Sequence, residues 1–251
     1  MDSVEQTFYV ERIRKTTKGG ALVVYKTDNP DPEFGGGGKR GKIVEFSADS
    51  RKRLAFVASN ANCTWGSMVT LTYHTSPNNG KLVKKDLNAF LTYVKKLLPE
   101  VKVCWFLEFQ ERGAPHVHIL LDRTYVLETG DLLAESWTKK ACKYTDNPVV
   151  KEHIRWFNSR DRPASGTTGT QFWQDARACN GLSHYAVKYA TKMQQKTVPP
   201  KYQDVGRLWG ASQGLVEYLP DMVYCKEIQP EAGEVFPGKS LIGLPKYIFG
   251  D

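Results

Sequence analysis

Two strand-like segments joined by a short turn constrain the fold of this chain more than any other feature of its sequence. In residues 101–110, apolar side chains alternate with a second set that ends in Glu108 and Gln110. The run ERGAP follows, and a second strand-like segment, residues 116–122, begins with His-Val-His. Strand side chains alternate between the two faces of a sheet. The pattern therefore predicts an antiparallel hairpin with a buried apolar face and a second, partly polar face.

The register of this hairpin determines which polar groups meet. If residues 111–115 form the turn, Gln110 lies opposite His116 and Glu108 opposite His118, while apolar residues pair with apolar ones. Directly opposed Cβ atoms lie roughly 5 Å apart, a spacing that can chelate one cation. Nitrogen and oxygen ligands without thiolate suit Mg²⁺ or Mn²⁺, although two histidines and a glutamate can also form a zinc site. The alternative is a polar strand face that binds no metal.

A second candidate site lies in residues 181–193, where apolar residues recur at helical spacing. Tyr185, Lys188, Tyr189 and Lys192 fall within an arc of about 100° on this predicted helix. A phenol with a pKa of about 10 is a poor nucleophile, so a nearby cation that favours phenolate or neutralises a phosphate is useful. Beside a metal site, this arrangement favours phenolate attack on a phosphate. The alternative assigns both tyrosines to the core stripe of an ordinary helix with lysines that reach solvent.

Helix and strand signals surround the hairpin. Capping residues, the spacing of apolar residues and Pro99 indicate where the predicted helices and strands begin and end. The predicted strands are residues 21–25 and 67–74, and the predicted helices are residues 47–60, 83–98 and 131–142.

The composition is that of a folded protein with a moderate basic excess. Its 251 residues are 41% hydrophobic, enough for a core. The net charge of +8 is compatible with a polyanionic partner. The five cysteines form no CxxC pair, the N-terminus has no apolar segment, and no run of about 18 apolar residues occurs. We therefore expect a cytoplasmic protein with no membrane span.

Three ordered motifs resemble those of the HUH endonucleases, in particular the rolling-circle replication initiators of phages and plasmids. MVTLTY at residues 68–73 is similar to their first motif strand, and EFQERGAPHVH at 108–118 to their histidine-hydrophobic-histidine motif. YAVKYATK at 185–192 is similar to the two-tyrosine form of their third motif. The resemblance implies an α+β fold, related to the RRM, with a central antiparallel sheet of about five strands flanked by helices. The two histidines would lie on a central strand.

The resemblance also implies a metal site and its ligands. His116 and His118 match the two metal-binding histidines, Glu108 matches the third ligand, and Gln110 is a rival from the same face.

The third motif implies the nucleophile and the reaction. Tyr189, followed by Lys192 in the form YxxK, matches the most widely shared tyrosine, and Tyr185, followed by Lys188, matches the additional one. The implied enzyme nicks single-stranded or hairpin origin DNA, forms a 5′-phosphotyrosine with a free 3′-OH, and later rejoins strands.

We expect three parts in the chain: an N-terminal arm at residues 1–46, the endonuclease domain at 47–220 and a C-terminal extension at 221–251. GEVFPGKS at residues 233–240 satisfies the phosphate-loop pattern, but too few residues follow for the required helix and strand. We therefore expect no ATP binding, and a host helicase and polymerase as partners.

Two other functions stay open on the sequence alone. One is a zinc-dependent hydrolase that uses His116, His118 and Glu108. The other is a basic nucleic-acid-binding module whose aromatic residues stack on bases.

The polar, glycine-rich residues 158–171 predict a surface loop. Arg155, Arg160 and Arg162 lie in or next to this loop and are candidates for contact with the DNA backbone. The alternative is a loop that contacts only solvent.

Overall fold

The computed structural model describes residues 8–27, 41–162, 170–175, 197–220, 222–227 and 246–248. The strands in these ranges are β1 (Phe8–Lys15), β2 (Ala21–Thr27), β3 (Ser67–Thr72), β4 (Val103–Phe109), β5 (Pro115–Leu121), β6 (Trp173–Asp175), β7 (Trp209–Ala211), β8 (Met222–Glu227) and β9 (Lys246–Ile248). The helices are α1 (Ala48–Ser59), α2 (Gly80–Leu97), α3 (Leu127–Ala141) and α4 (Pro148–Asn158), with 3₁₀ turns at Cys142–Tyr144 and Pro200–Tyr202.

Five strands form one antiparallel sheet in the order β6-β3-β5-β4-β7. The strand with both histidines, β5, is the third of the five and pairs with β3 on one side and β4 on the other. The predicted α+β fold with a central antiparallel sheet is confirmed, and the histidines lie on its central strand.

One face of this sheet carries the main hydrophobic core. Leu87, Phe90 and Val94 of α2 are buried in the same cluster as Leu107 of β4 and Ile119 of β5. The apolar stripe of α2 thus packs as its spacing predicted.

The helix α2 begins three residues before the predicted start. The side-chain oxygen of Asn79 accepts a hydrogen bond from the amide of Leu82 at 2.9 Å. This cap satisfies one of the amides left without a partner in the first turn of a helix, so the helix extends back to Gly80.

The second face of the sheet is also covered along part of its length. Cys104 and Phe106 of β4, Met68 of β3 and Leu120 of β5 are buried there. The sequence indicated only the Val103 side of β4 as buried, so burial on the second face is an addition to that prediction.

The register of the central hairpin differs from the predicted one by two residues. The loop has three residues rather than five: the carbonyl oxygen of Gln110 accepts from the amide of Gly113 at 2.7 Å, and Gly113 has a φ of 75°. The amide of Gln110 then donates to the carbonyl oxygen of Ala114 at 2.9 Å. Glu108 consequently pairs with His116, not with His118. Because the shift is an even number of residues, every side chain keeps its predicted face.

A second compact unit contains the described residues 8–27, 60–62, 216–220, 222–227 and 246–248. Its described strands form a four-stranded antiparallel sheet in the order β8-β1-β2-β9. The predicted strand at residues 21–25 is β2, whereas β1 was not predicted because FYVERIRK mixes charged and apolar residues on both faces. The functional division into arm, domain and extension stays a prediction.

Several predicted features lie outside the described residues. They are the helix with Tyr185, Lys188, Tyr189 and Lys192, the phosphate-loop-like run at residues 233–240, and residues 163–169 of the predicted surface loop. In the part of the chain that is described, no helix has the length and apolarity needed to cross a membrane.

Candidate metal centre

The second face of the central sheet changes from apolar to polar along its strands. Its consecutive cross-strand rows are Met68–Leu120–Cys104, Thr70–His118–Phe106 and Thr72–His116–Glu108. The first row is fully buried, His118 in the second row is 2% exposed, and His116 and Glu108 in the third are half-buried. The polar groups therefore lie between the buried apolar row, which we call the apolar floor, and the hairpin turn.

Glu108, His116 and His118 form a compact group of potential metal ligands. One ligand atom from each residue can be chosen so that all lie within 4.8 Å of one another. Nε2 of His118 is 3.0 Å from Oε1 of Glu108, and the two imidazole centroids are 4.6 Å apart. The structure thus brings together the three residues that the sequence identified as candidate ligands.

Two threonines of β3 contact the other nitrogen of each imidazole. Oγ1 of Thr72 is 3.1 Å from Nδ1 of His116, and Oγ1 of Thr70 is 3.5 Å from Nδ1 of His118. A threonine oxygen can accept a hydrogen bond from a protonated Nδ1, and in that tautomer the Nε2 lone pair is available to a metal. This role was not predicted from the sequence, although the Thr-x-Thr spacing in β3 matches the His-x-His spacing in β5.

The environment of His116 favours the neutral form of its imidazole. Burial lowers the pKa of His116 to about 3, an effect that His118 strengthens and Glu108 opposes. The ring of His118 stacks on Phe106 with centroids 4.9 Å apart. A neutral, sterically fixed imidazole is the form that coordinates a metal.

Gln110 lies beside the ligand group and is held by the hairpin turn. Its Nε2 is 3.4 Å from Nδ1 of His116, and its Oε1 accepts from Nε of Arg112 at 3.0 Å. Arg112 also donates to the carbonyl oxygens of Tyr73 and His74. The amide oxygen that would make Gln110 a rival ligand is therefore engaged by Arg112.

The donor set fits a divalent cation. Metal–ligand bonds of about 2.0–2.6 Å allow ligand atoms to lie up to roughly 5 Å apart across one ion. Two imidazole nitrogens and one carboxylate oxygen satisfy this spacing. Three protein ligands leave positions for a water molecule or a phosphate oxygen.

On the core side of β3, a buried carboxylate holds two tyrosines. Asp86 is 3% exposed and accepts from the hydroxyls of Tyr73 at 3.3 Å and Tyr144 at 2.5 Å. Lys143 lies 3.3 Å from its other oxygen. Burial, with Asp86 as a further cause, raises the pKa of both phenols above the ordinary value. Tyr73 and Tyr144 therefore stay protonated as donors and are unsuited as nucleophiles.

The three arginines that are candidates for DNA contact have different environments. Arg160 forms an ion pair with Asp131 at 2.9 Å. Arg162 lies over aromatic rings of α4, and Arg155 is exposed on the same helix.

The chain is similar in sequence to replication-associated proteins. Residues 66–194, just over half of the chain, match the model of a family described as replication-associated protein ORF2. The chain is also 25% identical over 180 residues to a replication-associated protein of Pseudomonas phage Pf3, an alignment that covers 69% of this chain and 59% of that relative. The chain thus spans less than two thirds of the relative's length. No solved structure matches the chain.

Proposed function

Because the chain belongs to the ORF2 family of replication-associated proteins, we propose that it initiates replication by nicking single-stranded origin DNA. The proposed reaction is a metal-assisted transesterification with a tyrosine nucleophile. The observation that carries the proposal is the group formed by Glu108, His116 and His118 on the central strands of the sheet. The matched range also contains the two-tyrosine motif at residues 185–192.

In this proposal, Glu108, His116 and His118 hold one Mg²⁺ or Mn²⁺ ion. The ion would polarise the scissile phosphate and neutralise its charge. Glu108 supplies the negative charge that a hard cation prefers, while the imidazoles supply neutral nitrogens. Thr70 and Thr72 keep the ring orientation, and the apolar floor below His118 limits the access of water.

The proposed nucleophile is Tyr189. Its phenolate oxygen attacks the phosphorus, a phosphotyrosine bond to the 5′ side forms, and the bond to O3′ breaks. The departing O3′ takes a proton, and the phenol proton is lost to solvent or a base. Lys192 and Lys188 favour the phenolate or neutralise the phosphate. Tyr185 then attacks a regenerated origin junction, and strands are rejoined when the free 3′-OH reverses the reaction.

The partners follow from this chemistry. The substrate is single-stranded DNA or the single-stranded part of a hairpin, so a host helicase unwinds the duplex and a host polymerase extends the 3′-OH.

The test is a search for a covalent adduct. The protein is incubated with Mn²⁺ and a labelled library of single-stranded oligonucleotides with a random central segment, and denaturing gels are scanned for protein that carries label. We expect an adduct that excess chelator, His116→Ala, His118→Ala and the double variant Tyr185→Phe/Tyr189→Phe each abolish. Tyr93→Phe, outside the motif, is the matched control and keeps it.

Two results overturn the proposal. Cleavage without an adduct, retained in the double tyrosine variant, indicates the zinc-hydrolase alternative. DNA binding without cleavage at any metal concentration indicates the non-catalytic binding module.

A further inference from the structure

Aromatic side chains of α4 gather around His74, just past the end of β3. The centroid of the His74 ring lies 4.8 Å from that of His153 and 4.8 Å from that of Phe157. The centroids of the His153 and Trp156 rings are 5.5 Å apart. We call His74, His153, Trp156, Phe157 and Arg162 the stacking surface.

The stacking surface is next to the candidate metal centre. Arg112, in the hairpin turn, donates to the side chain of Gln110 at 3.0 Å and to the backbone of His74 at 3.1 Å. Gln110 in turn lies 3.4 Å from His116. A continuous path of contacts therefore links the ligand group to the aromatic rings of α4.

The stacking surface combines exposed aromatic area with positive charge. The side chain of Trp156 is 45% exposed, and His153 is also exposed. The guanidinium carbon of Arg162 lies 5.0 Å from the centroid of Trp156 and 4.2 Å from that of Phe157. A cation held over aromatic rings can contact a phosphate while the ring beside it stacks on a base.

We infer that the stacking surface binds a base of single-stranded DNA close to the phosphate at the metal centre. The inference rests on the proposed function and adds the way in which the strand is held. The faces of bases in a duplex are covered by neighbouring bases. Only an unpaired base can therefore stack on an exposed tryptophan. The net charge of +8 is compatible with this polyanionic partner.

The first test measures the preference for bases over backbone. Fluorescence anisotropy, in excess chelator so that no cleavage occurs, compares oligo(dT) with an abasic strand of equal length. We expect the wild-type protein to bind oligo(dT) about tenfold more tightly, since stacking on one base contributes a factor of that order. Trp156→Ala removes this preference and Trp156→Phe keeps most of it. Val149→Ala, an exposed residue of the same helix, is the control and changes neither affinity.

The second test separates the arginine from the rings. Arg162→Gln should weaken binding to both strands and reduce the slope of log affinity against log salt by about 1, because one phosphate contact is lost. Trp156→Ala should leave that slope unchanged.

Two results overturn the inference: a base preference that survives Trp156→Ala, or an equal loss of affinity for duplex DNA in that variant. Both can occur while the adduct of the proposed reaction still forms. Conversely, a protein that forms no adduct but loses its base preference in Trp156→Ala supports the stacking surface and contradicts the nicking proposal.

Discussion

The hydroxyl oxygen of Thr72 lies 3.1 Å from Nδ1 of His116, its directly paired neighbour across the sheet. The next pair along the two strands, Thr70 and His118, repeats the contact at 3.5 Å. Both imidazoles thus contact the adjacent strand through Nδ1, and the remaining nitrogen of His118 lies 3.0 Å from the carboxylate of Glu108.

Thr72→Val should lower the affinity for Mn²⁺ about tenfold, because valine has the shape of threonine but cannot accept a hydrogen bond from Nδ1. Thr72→Ser restores the oxygen and should restore most of the affinity. Calorimetric titration of Mn²⁺ measures both, and Thr92→Val on the exposed side of α2 serves as the control. Wild-type affinity in Thr72→Val would contradict the role of this hydroxyl.

Glu108→Gln should reduce the affinity for Mn²⁺ by at least about tenfold. Gln110→Ala should reduce it only a few-fold. The first variant removes the only negative charge among the three ligands, whereas Gln110 has its oxygen engaged by Arg112. Titrations at one pH and salt concentration compare the two. A larger effect at Gln110 reverses the ligand assignment.

Tyr189→Phe should lose most initial nicking, whereas Tyr185→Phe should nick but fail in strand transfer. The two positions are one turn apart on the predicted helix, so both phenols can reach one phosphate. Peptide mass spectrometry of the adduct in each variant identifies the residue that attacks. Cleavage with an adduct on neither tyrosine would assign both to the core.

Asp86→Ala should lower the free energy of unfolding by about 2–4 kcal/mol, because two buried phenol donors lose their acceptor. Asp146→Ala is the matched control: its exposed carboxylate lies 3.9 Å from Lys151, and a surface pair of this kind contributes about 0–1 kcal/mol. Urea denaturation measures both. Equal effects would show that the Asp86 contacts add nothing beyond an exposed pair.

Gly113→Ala should lower the free energy of unfolding by about 1 kcal/mol, since its φ of 75° is strained for any residue with a Cβ. The added methyl group would meet only Pro199, at 3.7 Å, so the cost comes from the backbone. Gly41→Ala, with nothing within 4 Å of the new Cβ, tests the same substitution without that strain. Thermal unfolding of the two variants distinguishes them.

Period-two alternation predicted the central hairpin and the shared face of Glu108, His116 and His118, whereas the sheet of about five strands was implied by the resemblance to the HUH endonucleases. It did not predict the register, since the three-residue loop depends on Gly113 adopting a left-handed conformation that the run ERGAP allows but does not require. The strands β6 and β7 have only three residues each, too few for a periodic signal. The helix α4 was not predicted, although Asn147 caps it and Pro148 stands at its first position, both of which are signals of a helix start.

The placement of β5 has a consequence for how the protein responds to heat. A strand with neighbours on both sides exposes its amides only when the whole sheet opens, so its hydrogen exchange follows global rather than local unfolding. The amide of His118, in the middle of β5, should therefore be among the slowest to exchange. Glu108, His116 and His118 would then remain assembled up to the melting transition, and thermal inactivation would coincide with unfolding of the sheet.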